Sequence, residues 1–308
     1  QVIMSFLLMS MVFVLWPRAD VSAQRVLEVI DTKPLITDGT HTEGEPGKQG
    51  EIEFRNVSFT YPDSRKAMLE GISFTAKKGQ TVAFIGSTGS GKSSLINLVP
   101  RFYDATQGQV LVDGVDVRDY TLKALRDKIG YVPQQSFLFK GTIASNVSYG
   151  DKSGSKSGSE EAGTDADMAN VRKACEVAQA TEFVEKKDNT YESSIAQGGS
   201  NVSGGQKQRL SIARAVYRHP EILIFDDSFS ALDFKTDRAV RDALAKEAKD
   251  STKLIVAQRI GTIMNADRIV VLDQGKVVGQ GTHEELLDNC DVYRQIAQSQ
   301  LSEDELKH

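Results

Sequence analysis

The stretch Gly86-Ser-Thr-Gly-Ser-Gly-Lys92-Ser93 fits the phosphate-binding loop pattern G-x-x-x-x-G-K-[ST] at every fixed position. The apolar run from Thr81 to Ile85 precedes it and predicts a buried strand, and Ser93 to Val99 predicts the first turns of a helix. Glycines let the backbone turn successive N–H groups inward, and a helix N-terminus adds a positive dipole end. The sequence therefore predicts a strand, loop and helix that cradle a phosphate.

Two side chains at the end of this loop supply the chemistry that a bound nucleotide needs. Lys92 is placed to reach the β- and γ-phosphates, and the Ser93 hydroxyl is placed to ligate Mg²⁺. The alternative is a Gly/Ser turn that happens to include a lysine, and it gives no reason for the flanking strand and helix. A phosphate loop alone is shared by kinases, GTPases and helicases, so other motifs must narrow the function.

Length and composition describe an ordinary globular protein and exclude some partners. The chain has 308 residues and a net charge of −5, so no basic surface favours nucleic acid as a main partner. Cys175 and Cys290 stand far apart, in no metal or redox spacing, and we expect reduced thiols in a cytosolic domain. The four histidines form no cluster in the sequence: His41, His219, His283 and His308.

The N-terminal stretch predicts a membrane segment. Gln1 to Trp16 is almost wholly apolar, and as a helix it would span about 24 Å, short of a ~30 Å hydrocarbon core. The first charge, Arg18, comes after the apolar run, whereas a signal peptide places it before. Trp16-Pro-Arg18 is typical of the cytoplasmic boundary of a membrane. We expect the inner end of a transmembrane helix whose start lies upstream; the alternative is a buried amphipathic helix.

Composition divides the chain into three parts. Residues 1–31 are the expected helix end and its cytoplasmic extension, 32–50 form a linker rich in Gly, Pro and charge, and 51–308 form the globular domain. Within that domain, strands alternate with helices, which favours a mostly parallel sheet. One helix is predicted from Met168 to Lys187, and the Ser/Gly-rich, acidic range 152–165 predicts a mobile surface insertion.

Three further motifs carry a resemblance to a known family. Asn201-Val-Ser-Gly-Gly-Gln-Lys-Gln-Arg-Leu210 resembles the signature motif of ABC-type ATPases. Ile222-Leu-Ile-Phe-Asp226-Asp227 resembles the Walker B strand, and Ser230-Ala-Leu-Asp233 resembles the D-loop. The four motifs stand in the family's order, and the resemblance covers the chain from about Glu51 to its end. The N-terminal piece is similar to the last transmembrane helix of ABC exporters.

The resemblance implies a fold and a set of partners. It implies an α/β P-loop NTPase of ABC ATPase type, with a RecA-like parallel core, an antiparallel β-subdomain and a helical subdomain at about 135–219. It implies ATP and Mg²⁺ as cofactors, and a second nucleotide-binding domain that dimerises head to tail with this one. It also implies a transmembrane domain of the same protein, and a place on the cytoplasmic side of a membrane, which we expect to be a bacterial inner membrane.

The resemblance also assigns roles to individual residues. An aromatic at the position of Tyr61 stacks on adenine in the family, although a turn tyrosine before Pro62 is the alternative. The signature residues would grip the γ-phosphate of the ATP bound by the partner chain. The full assignment is as follows: nucleotide contacts by Tyr61, Gly86, Ser87, Thr88, Gly89, Ser90, Gly91, Lys92, Ser93, Ser94 and Asp226; Mg²⁺ contacts by Ser93, Gln134 and Asp226; catalysis by Asp227, Gln258 and Gln134; the signature at Ser203, Gly204, Gly205 and Gln206; and the D-loop at Ser230 and Asp233.

Two positions depart from the family pattern. Asp227 stands where the family has glutamate, and its side chain is one methylene shorter; a misplacement of about 1 Å can cost ~10²-fold in rate. Gln258 stands where the family has histidine, and an amide cannot carry a positive charge. Heterodimeric ABC exporters pair one such degenerate ATP site with a competent one. The resemblance therefore predicts a degenerate site here, with low ATP hydrolysis, and a signature that completes the partner's competent site.

Two other functions stay open at this point. One is a homodimeric exporter with weak ATPase activity. The other is a soluble ABC ATPase that acts in translation or DNA repair. The apolar stretch Gln1 to Trp16 and the acidic charge balance count against the soluble protein.

Overall fold

The computed structural model describes residues 1–150 and 165–301. The chain divides into two compact units, Gln1–Thr37 and Asp38–His308. In the described residues the helices are α1 Val2–Ile30, α2 Lys92–Asn97, α3 Leu122–Asp127, α4 Ile143–Val147, α5 Asp165–Val177, α6 Thr181–Glu185, α7 Gly204–Tyr217, α8 Phe234–Glu247, α9 Ile260–Ile263, α10 His283–Asn289 and α11 Asp291–Gln300. The strands are β1 Ile52–Phe59, β2 Leu69–Ala76, β3 Thr81–Gly86, β4 Gln107–Val112, β5 Val115–Asp116, β6 Ile129–Val132, β7 Gly141–Thr142, β8 Ser194–Ile195, β9 Ile222–Asp226, β10 Thr252–Val256, β11 Arg268–Asp273 and β12 Lys276–Gly281.

The first unit is dominated by α1, a helix of 29 residues that continues through Pro17. None of its residues is buried. Within the described part of the chain, it is the one helix long and apolar enough to cross a membrane. By length and composition the helix fits the predicted membrane segment, which stays a prediction.

The second unit is built on a six-stranded sheet in the order β12-β11-β3-β10-β9-β6. Strands β11, β3, β10, β9 and β6 run parallel, and β12 is antiparallel at one edge. A second, antiparallel sheet has the order β2-β1-β4-β5. Central strands such as β9 and β10 are buried along their whole length, which explains their continuous apolar sequence. The sheets match the parallel core and antiparallel β-subdomain that the sequence predicts.

The core has two parts, one on each face of the main sheet. One part packs the antiparallel sheet against the main sheet, with Phe74 edge-on to Phe84 at 5.2 Å between ring centroids. The other packs helices α5, α7 and α8 against the opposite face. Because the five strands from β11 to β6 are parallel, their carboxyl ends lie at one edge of the sheet. The loops that carry the candidate functional residues leave the strands at that edge.

The predicted helix from Met168 to Lys187 is in fact two helices, α5 and α6. The chain breaks at Gln179, which adopts φ 54° in the left-handed region. There the Ala180 N–H donates to the Cys175 carbonyl at 2.7 Å, and the Gln179 N–H donates to the Glu176 carbonyl at 3.0 Å. This pair of bonds is a Schellman motif, which ends a helix by satisfying its last carbonyl groups. The sequence did not indicate this helix end, because position 179 is a glutamine and not the glycine that usually ends a helix in this way.

The range 32–50, predicted as a linker, also differs from expectation in its second part. The Gly39 N–H donates to the Tyr120 carbonyl at 2.9 Å, and the Gly50 N–H donates to Asp113 Oδ1 at 2.7 Å. Asp113 is fully buried and forms an ion pair with Lys128 at 2.7 Å. Residues 38–50 are therefore fixed to the globular unit by contacts with distant residues. The insertion predicted at 152–165 lies, apart from its last residue, outside the described residues.

Candidate functional site

The phosphate loop connects β3 to α2 in the predicted way. Gly86, Gly89 and Gly91 have φ of 152°, 82° and 97°, a region that favours glycine. A Cβ atom on Gly91 would also lie 2.6 Å from Cδ2 of Leu69, which leaves no room for a side chain. The loop backbone therefore depends on glycine at this position, where it turns into the helix.

Lys92 folds back over this loop. Its Nζ donates to the carbonyl oxygens of Gly86 and Ser87, both at 2.8 Å. Burial lowers the pKa of Lys92, because the ammonium group loses hydration, and the charges of Asp227 and Asp226 partly offset the effect. A partly buried cation beside inward-facing backbone N–H groups can bind a phosphate more strongly than one in open water.

Ser93 and Asp226 form the candidate Mg²⁺ site. The Ser93 hydroxyl donates to Asp226 Oδ1 at 2.8 Å, which joins the start of α2 to the end of β9. Burial raises the pKa of Asp226, although the hydrogen bonds from Ser93 and Tyr131 act in the opposite direction. A hydroxyl and a carboxylate oxygen at one point are the hard oxygen ligands that Mg²⁺ prefers, so the residues present fit this cation.

Tyr131 belongs to the same cluster, although the sequence did not identify it. Its hydroxyl lies 2.9 Å from Asn97 Oδ1 and 3.4 Å from Asp226 Oδ2. Burial raises the pKa of Tyr131, so the phenol stays protonated and keeps its donor. Tyr131 thus restricts the orientation of the Asp226 carboxylate from the side opposite Ser93.

The three residues predicted as catalytic meet at one carboxylate oxygen. Gln258 Nε2 donates to Asp227 Oδ2 at 2.7 Å, and Gln134 Nε2 lies 3.4 Å from the same oxygen. Asp227 is buried and has φ 47°, and the D-loop residue Ser230 donates to its carbonyl at 2.8 Å. Burial, followed by the neighbouring charge of Asp226, raises the pKa of Asp227. The arrangement can orient a water molecule only if the two amides leave part of this carboxylate accessible.

A second residue that sequence reasoning missed, Gln300, contacts the main chain on both sides of Arg259. Its Nε2 donates to the Gln258 carbonyl at 2.8 Å, and its Oε1 accepts from the Ile260 N–H at 2.8 Å. Gln300 is the last residue of α11, 42 positions from Gln258. No local pattern in the sequence could have indicated this contact.

Tyr61 lies in an aromatic group beside the phosphate loop. Its hydroxyl is 2.8 Å from Ser94 Oγ, and its ring centroid lies 4.7 Å from Phe59 and 5.2 Å from Tyr103. Tyr103 is partly exposed next to it and was not identified from the sequence. The predicted stacking of Tyr61 on adenine stays a prediction, and the structure adds Tyr103 as a neighbour of that position.

The signature residues form the start of α7. Ser203 and Gln206 make a capping box, in which the Gln206 N–H donates to Ser203 Oγ at 3.3 Å and the Ser203 N–H donates to Gln206 Oε1 at 3.1 Å. Gly204 is exposed, and Gly205 lies beside the D-loop carbonyl of Ala231. The start of a helix of 14 residues is thus presented at the surface, where its free N–H groups can receive an anion.

Asp233, the other D-loop residue, caps α8. Its Oδ1 accepts from the Thr236 N–H at 2.9 Å, and its Oδ2 accepts from the Thr236 hydroxyl at 2.8 Å. These bonds hold the pKa of Asp233 below its usual range. Within the described residues the D-loop therefore contributes Ser230 to the Asp227 cluster, and Asp233 to a helix cap.

Comparison with known proteins relates this chain to ABC transporters. The family model described as ABC transporter matches residues 69–230. The chain is 44% identical over 301 residues to an uncharacterized ABC transporter ATP-binding protein of Mycobacterium tuberculosis, a match that covers 97% of this chain and 50% of that protein. It is 41% identical over 281 residues to an ATP-dependent lipid A-core flippase of Haemophilus influenzae, covering 91% of this chain and 46% of the flippase. The chain spans about half the length of these curated relatives.

A solved structure extends the comparison to the fold. The structure of a bacterial Atm1-family ABC exporter with ATP bound superimposes with a TM-score of 0.82 and 33% sequence identity. The match covers 93% of this chain and 48% of that exporter. The fold class predicted from the sequence is confirmed.

Proposed function

This chain belongs to the ABC transporter family, and we propose that it binds and hydrolyses ATP to drive export through a membrane domain of the same protein. The observation that carries the proposal is the cluster formed by Lys92 on the phosphate loop and the Ser93–Asp226 pair. Loop N–H groups and Lys92 bind the phosphates, and Ser93 and Asp226 hold the cation. Mg²⁺, when bound, supplies charge neutralisation at the phosphates.

Export and a membrane location are supported by the helix and by the relatives. Helix α1 is exposed along its length and apolar enough to span a bilayer. A chain that joins such a helix to an ATPase domain resembles an exporter, and the flippase and the Atm1-family protein carry names of that kind. We propose that the ATPase domain lies on the cytoplasmic side, in a bacterial inner membrane. The exposed apolar helix counts against a soluble ABC ATPase.

We further propose that the ATP site built by this chain is degenerate. Aspartate at position 227 is one methylene shorter than the glutamate that the family has at this position, so its carboxylate lies farther from an attacking water. The amide of Gln258 donates to that carboxylate at 2.7 Å, so the two side chains that differ from the family pattern act at one point. Gln258 cannot carry a proton or a positive charge toward a developing phosphate charge. Both features lower hydrolysis and leave the phosphate-binding groups intact.

The signature is proposed to act on a different ATP. Ser203 and the first N–H groups of α7 lie at the exposed start of a helix, ready for a phosphate carried by a second nucleotide-binding domain. A homologous but different partner chain would then provide the competent site. A homodimer with weak ATPase activity is the second candidate, and co-purification distinguishes the two: a partner with glutamate and histidine at the matching positions supports the heterodimer.

ATP binding tests the first proposal. Lys92→Ala removes the cation of the loop and should lower the affinity for ATP–Mg²⁺ by about tenfold or more, since a charge-assisted hydrogen bond contributes about 1.5–3 kcal/mol. Lys123→Ala is a matched control, because Lys123 is exposed on α3. Titration calorimetry on the membrane assembly measures both. If Lys92→Ala bound ATP as tightly as the parent, the assignment of the phosphate loop would be wrong.

A further inference from the structure

The side chain of Gln300 closes a two-bond contact with the segment that carries Gln258. Its amide accepts from the Ile260 N–H and donates to the Gln258 carbonyl, each at 2.8 Å. The two bonds resemble the pairing of neighbouring β-strands, in which one residue both donates to and accepts from the adjacent main chain. Here a side-chain amide takes the place of one of the two strands. Both partners are main-chain groups, so the contact fixes the path of the chain and not only one side chain.

The segment in contact with Gln300 joins β10 to α9, and the side chains of Ile260 and Ile263 on α9 are buried in the core. Strand β10 ends at Val256, and α9 has only four residues from Ile260 to Ile263. The first N–H groups of a helix have no partner inside it, and the N-cap residue Arg259 makes no side-chain capping bond. Gln300 therefore supplies the partner that the start of α9 would otherwise lack. A helix of one turn does not hold its own geometry without such contacts.

The other end of the contact is helix α11, which packs against the core. Helix α11 buries Tyr293 and Ala297 against the core. The Tyr293 hydroxyl lies 2.6 Å from Nδ1 of His283 on α10. The helix is thus packed against the core at two successive turns, and its last residue joins it to the Gln258 segment through one amide.

We propose that Gln300 is a positioning residue, which keeps the Gln258 amide on the Asp227 carboxylate and so links the C-terminal helix α11 to the ATP site. The inference rests on the proposed function of that site. Gln258 touches Asp227 at 2.7 Å, and a shift of its main chain moves this amide away from the reacting atoms. The contact needs both a donor and an acceptor, which a glutamine provides and a glutamate does not.

Three variants in the complete membrane assembly test the inference, with hydrolysis at any other ATP site blocked. Gln300→Ala removes both bonds, and Gln300→Glu keeps the acceptor for Ile260 but faces the Gln258 carbonyl with a carboxylate. Gln298→Ala is the matched control, since Gln298 is exposed on the same helix. Two measurements are made: hydrogen exchange of the Ile260 amide, and steady-state ATP hydrolysis, which gives kcat and KM.

We expect Gln300→Ala to speed exchange at Ile260 and to lower kcat by about tenfold with KM for ATP nearly unchanged, because small displacements of catalytic groups cost rate more than binding. Gln300→Glu should keep Ile260 protected and still lower kcat. Gln298→Ala should change neither measurement. The inference is wrong if Gln300→Ala behaves like Gln298→Ala, or if kcat and ATP affinity fall together in parallel with global unfolding. If the parent assembly bound no ATP, the proposed function would be refuted. Hydrogen exchange at Ile260 would still show whether Gln300 protects this amide.

Discussion

The double variant Asp227→Glu with Gln258→His should raise ATP hydrolysis at this chain's own site. The added methylene moves the carboxylate by about 1 Å toward the water, and displacement on that scale is worth up to ~10²-fold in rate, or about 2.7 kcal/mol. The imidazole can donate to the γ-phosphate and take up charge as it develops. A partner signature that also departs from consensus would limit the gain, so we expect a rise of about tenfold.

The structure explains why each single change should do little. Gln258 Nε2 already lies 2.7 Å from Asp227 Oδ2, so a longer carboxylate at position 227 meets the amide before it reaches a water. Asp227 also adopts φ 47°, where aspartate is more common than a longer side chain. Histidine at position 258 without the longer carboxylate has no correctly placed base to support. The two effects are therefore expected to be strongly non-additive.

The assay is single-site turnover of ATP in the membrane assembly with hydrolysis at the other site blocked. Both single variants and the parent are measured beside the double variant, and ATP affinity is measured for all four. If the double variant binds ATP and its turnover stays at the parent's rate, the low turnover is caused by the partner's signature motif. The proposal that Asp227 and Gln258 limit hydrolysis would then be refuted.

Three other predictions concern the dimer, charge burial and the buried ion pair. Ser203→Ala should lower turnover of the assembled transporter more than Asp227→Asn does, because Ser203 faces the competent ATP; an equal loss would mean that this chain's site is the working one. Asp227→Asn should raise the melting temperature at neutral pH, because the raised pKa of Asp227 shows that its charge is disfavoured in the folded protein. That gain should shrink as pH falls through the raised pKa, and a gain independent of pH would contradict it. Asp113→Ala should cost about 3 kcal/mol in denaturant unfolding, the lower end for a broken buried pair, since Lys128 loses its partner at 2.7 Å and keeps Glu221 at 3.3 Å; Glu53→Ala breaks the exposed pair with Arg55 and should cost under about 1 kcal/mol.

Local patterns predicted the parts of the fold that local forces decide. The strand before Gly86 and the helix after it follow from apolar runs on either side of a glycine-rich turn. The carboxylates after β9 were found because a buried strand ended in two charges, and the structure places Asp226 beside Ser93 as the motif requires. The elements themselves follow from patterns a few residues long, whereas the contact between Ser93 and Asp226 joins residues 133 positions apart.

The features that the sequence did not predict depend on contacts between distant residues. Tyr131 reaches Asp226 across 95 positions, and Gln300 reaches Gln258 across 42. A glutamine or tyrosine has no neighbouring pattern that indicates such a contact. The break at Gln179 was missed because the surrounding alanines favour a helix, and the positive φ that ends α5 is normally a glycine's. Tertiary contacts decide the positions of Tyr131 and Gln300, and local hydrogen bonds decide the end of α5.

The attachment of residues 38–50 has a practical consequence for anyone who excises the ATPase domain. A cut at Glu51, where the strand pattern begins, would remove the Gly50 N–H from the Asp113 carboxylate and the Gly50 carbonyl from the Thr252 hydroxyl. Asp113 keeps its ion pair with Lys128, and the Thr252 hydroxyl keeps the Lys77 carbonyl at 3.2 Å, so each lost bond costs about 0.5–1.5 kcal/mol, a noticeable part of the stability of an ordinary domain. A truncated protein that starts at Asp38 keeps both bonds. The shorter version should be the one that precipitates during purification.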